Sequence, residues 1–177
     1  MIFNKTDLED AWLIDLERRG DERGFFARTM REKEFAAHGL DTRYVQQNTS
    51  FSATKGTLRG MHFQREPHEE AKLVRCLWGE IMDVIIDLRP NSPTYRRHQA
   101  FNLSAENRRQ LYVPRGFAHG FQALTENVEV TYLVSACYTP HAEGGVRYND
   151  PTFGIQWPLP VTVISDKDKT WPLLDHE

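Results

Sequence analysis

The sequence predicts a mainly β fold, an antiparallel sandwich or jelly roll, formed by a single domain over residues 1–177. Three observations support this. Short runs of β-branched and apolar residues recur along the chain. Gly, Pro and Asn punctuate them at strand-like intervals. No alternation of strand and helix patterns marks a doubly wound sheet.

Taken in order, the elements are these. Residues 31–38 read as the one convincing helix, with Glu32, Lys33, Glu34, Ala36 and Ala37 helix-tolerant and Gly39 suited to a C-terminal cap. Residues 73–78 (LVRCLW) and 81–88 (IMDVIIDL) read as strands, and Gly79-Glu80 between them suggests a hairpin. Residues 110–113 and 117–124 read as strands on either side of Pro114-Arg115-Gly116. Residues 128–138 alternate, with Val130, Tyr132 and Val134 on one face and Glu129, Thr131, Leu133 and Ser135 on the other.

The length of 177 residues suffices to bury a substantial core. A net charge of −3 offers no global attraction for nucleic acid. No apolar run approaches the roughly 20 residues of a membrane helix, and residues 1–7 carry no apolar signal core. A soluble cytoplasmic protein is expected. Cys76 and Cys137 lie in strand-like stretches without CxxC spacing, so both are expected as buried free thiols.

Four places could carry chemistry. Arg59 and His62 bracket Gly60; on a regular strand they would face opposite sides, unless a bulge at Gly60 brings them together. A histidine there could act as a general base, or be structural. Lys72 opens an apolar strand, where it could stabilise an oxyanion or simply snorkel. His119, between Gly116 and Gly120 in aromatic sequence, suits either a ligand approach or a tight barrel corner. The charged run 165–169 reads as a solvated loop, although an acid from it could orient a histidine. No phosphate-binding Gly-rich loop, nucleophile elbow or HxH metal signature is present. From the residues alone, the reading stops at a β-rich domain with several suggestive histidines.

A set of short segments then acts together: 20–26 (GDERGFF), 45–50 (VQQNTS), 58–64 (LRGMHFQ), 72–75 (KLVR), 79–84 (GEIMDV), 103–107 (LSAEN), 114–121 (PRGFAHGF), 149–151 (NDP), 155–158 (IQWP) and 165–168 (SDKD). In this order and spacing, from about Leu16 to the C-terminus, they resemble the dTDP-4-dehydrorhamnose 3,5-epimerase family. The resemblance implies a cupin-type double-stranded β-helix (a jelly-roll barrel) with a few short helices. It implies a homodimer with exchanged N-terminal strands, a nucleotide-sugar substrate, and neither metal nor organic cofactor. The implied reaction inverts carbons beside the C4 ketone of a nucleotide-linked 4-keto-6-deoxy sugar. By position, His62 matches the base, Asp168 its carboxylate partner, Lys72 the group that steadies the enolate oxygen, and Tyr132 the acid on the opposite face. Arg23, Arg59 and His119 match positions near the pyrophosphate or sugar. Gln46, Asn48, Tyr138, Glu143 and Lys167 match further ligand contacts.

The chain departs from the family pattern in places. Arg28 stands where an acid usually contributes to the nucleotide pocket. Because cytosine presents an N3 acceptor and thymine an N3–H donor, Arg28 raises a CDP-linked substrate as an alternative. Glu70 replaces a usual glutamine, Leu133 a lysine, and Cys137 the first tyrosine of a Tyr-Tyr pair. These changes surround the sugar and raise a C3-only epimerase as a rival. A 3,4-ketoisomerase, a non-catalytic sugar-nucleotide-binding cupin and a metal-dependent cupin oxygenase are the other readings to weigh.

Overall fold

In the computed structural model, which describes residues 1–174, the strands are β1 (Ile2–Lys5), β2 (Trp12–Asp15), β3 (Arg19–Asp21), β4 (Gly24–Phe26), β5 (Gln46–Ser52), β6 (Leu58–Gln64), β7 (Lys72–Trp78), β8 (Glu80–Asp87), β9 (His98–Ser104), β10 (Gln110–Val113), β11 (Phe117–Ala123), β12 (Val128–Val134) and β13 (Glu143–Gly145). Helix α1 (Glu32–Ala37) precedes β5, and α2 (Asp166–Thr170) lies near the C-terminus. A six-stranded sheet runs β1-β2-β10-β7-β12-β5, and a five-stranded sheet runs β13-β6-β11-β8-β9. From β5 to β8 the chain changes sheet at every strand, which is the winding of a cupin-type double-stranded β-helix.

That winding corrects the expected hairpin. β7 pairs with β10 and β12, whereas β8 pairs with β11 and β9. The turn at Gly79, with φ of 76°, is therefore a corner between sheets. A Cβ there would lie 2.5 Å from Thr125 Oγ1 and 2.9 Å from Val128 Cγ2. The corner lets Val74 and Cys76 of β7 meet Ile81 and Ile85 of β8 inside the sandwich. A flat hairpin would have laid those apolar faces side by side instead.

Strand β8 is apolar on both sides because both sides are covered. Ile81 and Ile85 join the inter-sheet core, while Val84 and Ile86 pack outward with Met61, Ala118, Val146 and Phe153. On the other sheet, α1 buries Phe35 over Ile14, Leu73 and Tyr112. Strand β12 keeps the expected alternation but stops at Val134. Cys76 is buried as expected; Cys137, beyond that strand end, is exposed and corrects the second thiol.

Candidate active site

The inner face of β6 is set by one extra residue. His62 pairs with His119, and Arg59 with Phe121, so three steps on β6 match two on β11. This bulge turns both Arg59 and His62 toward the barrel interior. It is built at Gly60, whose φ is +117° and where a Cβ would lie 2.6 Å from Gly120 Cα. Only glycine fits so close a backbone approach.

His62 is 34% exposed and its Nε2 lies 2.6 Å from Asp168 Oδ1. Asp168 is buried on α2 while Ser165, Asp166, Lys167 and Lys169 stay exposed, so the run 165–169 is a short helix rather than a loop, solvated except for the acid that reaches His62. Ser165 caps α2, its Oγ accepting from the Asp168 N–H at 3.1 Å. Burial disfavours ionisation of Asp168. The hydrogen bond and charge of His62, the Gly60 N–H at 3.0 Å and the Trp171 indole at 3.3 Å outweigh it and hold the pKa below the usual carboxylate range. A fixed carboxylate on Nε2 leaves Nδ1 as the ring nitrogen free to take a substrate proton.

Lys72, the first residue of β7, is buried, with its Nζ 3.3 Å from Glu70 Oε1. It is not the solvent-reaching strand-end lysine that its position allowed. Tyr132 projects from β12, which pairs with both β7 and β5. Burial, then the charge of Glu70, pushes the Tyr132 phenol upward; Arg59 and a hydrogen bond with the Asn48 side chain pull the other way. Gln46 Nε2 donates to Asn48 Oδ1 at 2.8 Å, which turns the Asn48 amide nitrogen to its remaining neighbours. A raised phenol pKa keeps Tyr132 protonated at neutral pH, as a proton donor requires.

His62, Lys72, Tyr132 and Lys167 line two adjoining cavities of about 520 Å³ and about 360 Å³. The first also takes in Arg59, His119 and Ser50, and the second Gln46, Asn48, Glu70, Tyr138 and Glu143. At the mouth, Tyr138 donates to Glu143 Oε2 at 3.0 Å, and Lys167 Nζ sits 2.7 Å from Glu143 Oε1. Burial opposes ionisation of Glu143, but these bonds hold its pKa low. Arg59 is aimed by bonds to Ser52 Oγ at 3.1 Å and the Phe51 carbonyl at 2.7 Å. His119 is buried, its Nε2 3.0 Å from Asp83 Oδ2.

Two residues are not brought in. Arg23 lies on the β3–β4 hairpin, which pairs only with itself. Its side chain is 86% exposed and bound to Asp21 of the same hairpin. Arg28 lines a small separate pocket with Met1, Glu17 and Glu34. Neither lines either of the two cavities described above that His62 lines.

Residue patterns missed Asp83, Glu70 and Trp171. Asp83 had a signal, as the acid inside the apolar run of β8 on the inward parity of Ile81 and Ile85. Glu70 and Trp171 lie outside regular strands, where no periodicity assigns a facing direction. Among the described residues, no group of three or more His, Cys, Asp or Glu side chains is arranged to hold a metal ion.

A cupin barrel whose open end gathers a histidine–carboxylate pair, an ammonium and a phenol is suited to moving protons on carbon, which is isomerase chemistry. Comparison with known proteins agrees. The sequence profile of dTDP-4-dehydrorhamnose 3,5-epimerase matches residues 5–176. The chain is 46% identical over 178 aligned positions to the dTDP-4-dehydrorhamnose 3,5-epimerase of Methanothermobacter thermautotrophicus, covering 98% of this chain and 95% of that one. The crystal structure of the Bacillus anthracis enzyme of that name, with TDP and PPi bound, superposes with a TM-score of 0.94 at 42% identity, covering 98% and 99% of the two chains. A 3'-monoepimerase from Streptomyces bikiniensis in complex with dTDP-quinovose superposes with a TM-score of 0.87 at 33% identity, covering 94% and 85%. This chain belongs to the dTDP-4-dehydrorhamnose 3,5-epimerase family and is an isomerase.

Proposed function

We propose that the enzyme epimerises a dTDP-linked 4-keto-6-deoxy sugar of the dTDP-4-dehydro-6-deoxyglucose type at C3 and C5, in deoxysugar biosynthesis. The observation that carries this reading is the His62 Nε2–Asp168 pair at 2.6 Å, in a cavity that also holds Lys72 and Tyr132. The C4 ketone acidifies the C–H bonds beside it. His62 removes one such proton through Nδ1, and the bonding pair moves into an enolate whose charge rests on the C4 oxygen. Asp168 stabilises the imidazolium so formed, and the Lys72 ammonium stabilises the enolate oxygen. Tyr132 delivers a proton to the opposite face of the carbon, and the ketone re-forms with inverted configuration. No electron leaves the sugar, so the balance needs only acid, base and oxyanion partner.

Arg59, His119, Gln46, Asn48, Tyr138, Glu143 and Lys167 hold the sugar and pyrophosphate in this proposal. Arg23 and Arg28 belong to the nucleotide end, which a second copy completes in a homodimer. Support for that comes from the β3–β4 hairpin, which leaves Phe25 43% and Phe26 66% exposed beside Arg23. The free thiols Cys76 and Cys137 suit the reducing cytoplasm, the compartment proposed. A dTDP-linked substrate is favoured over a CDP-linked one by the names of the relatives, and inversion at both carbons by the 3,5-epimerases at higher identity than the monoepimerase.

The test is deuterium uptake from heavy water into dTDP- and CDP-4-keto-6-deoxyglucose, followed by NMR. Exchange at C3 and C5 of the dTDP sugar is expected. Exchange at C3 alone would make the enzyme a monoepimerase, a faster CDP sugar would reassign the base, and no exchange would refute the reading.

A further inference from the structure

Of the two acids at the sugar end of the cavity, Glu70 and Glu143, the proposed function gives Glu70 no task. Glu70 lies in the connection between β6 and β7, with its side chain 12% exposed. Its two oxygens are used in opposite directions. Oε1 faces the Lys72 ammonium at 3.3 Å, and Oε2 accepts from Gln64 Nε2 at 3.2 Å. Gln64 is itself fixed, donating to the His68 carbonyl at 2.9 Å and accepting from the Thr139 N–H at 2.6 Å. The carboxylate is thus held from behind by a polar frame, with the lysine in front of it. Among the described residues, Glu70 is the acid that forms an ion pair with Lys72.

We propose that Glu70 is a positioning residue of this reaction, anchoring the Lys72 ammonium at the enolate site and placing a fixed negative charge beside Tyr132. The inference rests on the roles given above to Lys72 and Tyr132. A free lysine side chain has many rotamers, and each must be frozen before it can meet an oxyanion. A buried partner removes that cost before substrate arrives, and displacement of a catalytic group by about 1 Å is enough to lose about 100-fold in rate. The charge acts on the phenol. The groups facing Tyr132 are Asn48 from β5, Arg59 and His62 from β6, Lys72 from β7 and Glu70, with Glu143 and Lys167 at the mouth. Of these, Glu70 is the one whose charge raises the Tyr132 pKa, beyond the effect of burial. It favours the phenol, the form that donates a proton.

Position and charge separate in two variants. Glu70→Ala loses both; Glu70→Gln keeps an acceptor for Lys72 but loses the charge. Measured as deuterium uptake and epimer formation, Glu70→Ala is expected to lower kcat about tenfold or more with KM nearly unchanged, and Glu70→Gln to recover most of that loss. In a tyrosinate ultraviolet titration, with Tyr132 isolated as the difference from Tyr132→Phe in each background, both variants are expected to move the Tyr132 transition to lower pH. An unmoved Tyr132 transition would overturn the proposal, as would a loss of kcat matching the loss of folded protein by circular dichroism. If the unsubstituted enzyme shows no exchange, the epimerase reading itself falls. If it exchanges normally and the variants behave like it, only the role of Glu70 falls.

Discussion

Two histidines face each other across the same pair of strands, and each gives Nε2 to a carboxylate. His62 on β6 and His119 on β11 are direct cross-strand partners. Yet His62 is 34% exposed with Asp168 behind it at 5%, whereas His119 and Asp83 are 7% and 0% exposed. The acids also differ in origin. Asp83 comes from the adjoining strand β8, so its pair is part of the sheet. Asp168 is brought from α2, 106 residues from His62, with the Trp171 indole and Gly60 N–H completing its shell. The same chemical pair therefore occurs twice, side by side on one inner face, once more open and once nearly sealed. A histidine–carboxylate contact does not by itself define a base; the opening of the ring onto the cavity does.

The sharpest way to break this comparison is to remove each ring. His62→Asn should lower kcat about 1000-fold while nucleotide binding changes little, since a general base acts only in the transition state. His119→Ala should instead lower stability by about 3 kcal/mol in urea unfolding, because it leaves the buried Asp83 side chain without its hydrogen-bond partner. Its remaining folded fraction should bind nucleotide sugar more weakly. The reverse pattern, a stable inactive His119 variant and an unfolded His62 variant, would exchange the two roles.

Asp168→Asn comes next, with kcat expected about 10- to 100-fold lower. It also carries a pH signature. Because the Asp168 pKa is depressed in the folded state, its contribution to stability is complete above the ordinary carboxylate value of 3.8 and is lost as pH falls through the depressed value. The stability gap between the parent and Asp168→Asn should therefore close on acidification across that window. A gap independent of pH would mean that Asp168 contributes by packing rather than by charge.

How much of this was legible in the sequence follows from the same two residues. The alternation in β12 assigned Tyr132 its face, and Gly60 offered a place for the bulge that turns Arg59 and His62 inward. Such signals are local, since a period of two and a glycine both act within a few residues. The His62–Asp168 pair is not local. Nothing near either residue encodes a contact over 106 positions, and only resemblance to a family connected them. The β7–β8 corner was misread for a related reason. A Gly-Glu step between apolar strands suits either a hairpin or a change of sheet, and long-range pairing with β12 and β11 decides between them. Arg23 and Arg28 were assigned by position alone, and the single chain does not bring them to the cavity.

Tyr132→Phe sharpens the division of labour around His62. On the proposed roles, His62 still removes a proton without the acid and can return a solvent-derived one to the same face. Inversion should then fall about 100-fold, while deuterium exchange falls less than tenfold. Equal loss of both would place Tyr132 in deprotonation or in substrate binding instead.

The smallest expected effect concerns the proposed nucleotide end. Arg23→Ala should raise KM for the nucleotide sugar about tenfold, the value of one charge-assisted contact, and leave kcat nearly unchanged. Because Arg23 lines neither cavity that His62 lines, the proposed homodimer makes this effect depend on a second copy. Mixing Arg23→Ala with His62→Ala subunits tests this directly. In a mixed dimer, one site joins an intact His62 from the first chain to an intact Arg23 from the second, and the other site has neither. Activity with the parental KM should therefore reappear on mixing, although neither variant shows it alone. If mixing leaves the KM of Arg23→Ala unchanged while the subunits demonstrably exchange, Arg23 does not act across the dimer, and the nucleotide end must be completed within one chain.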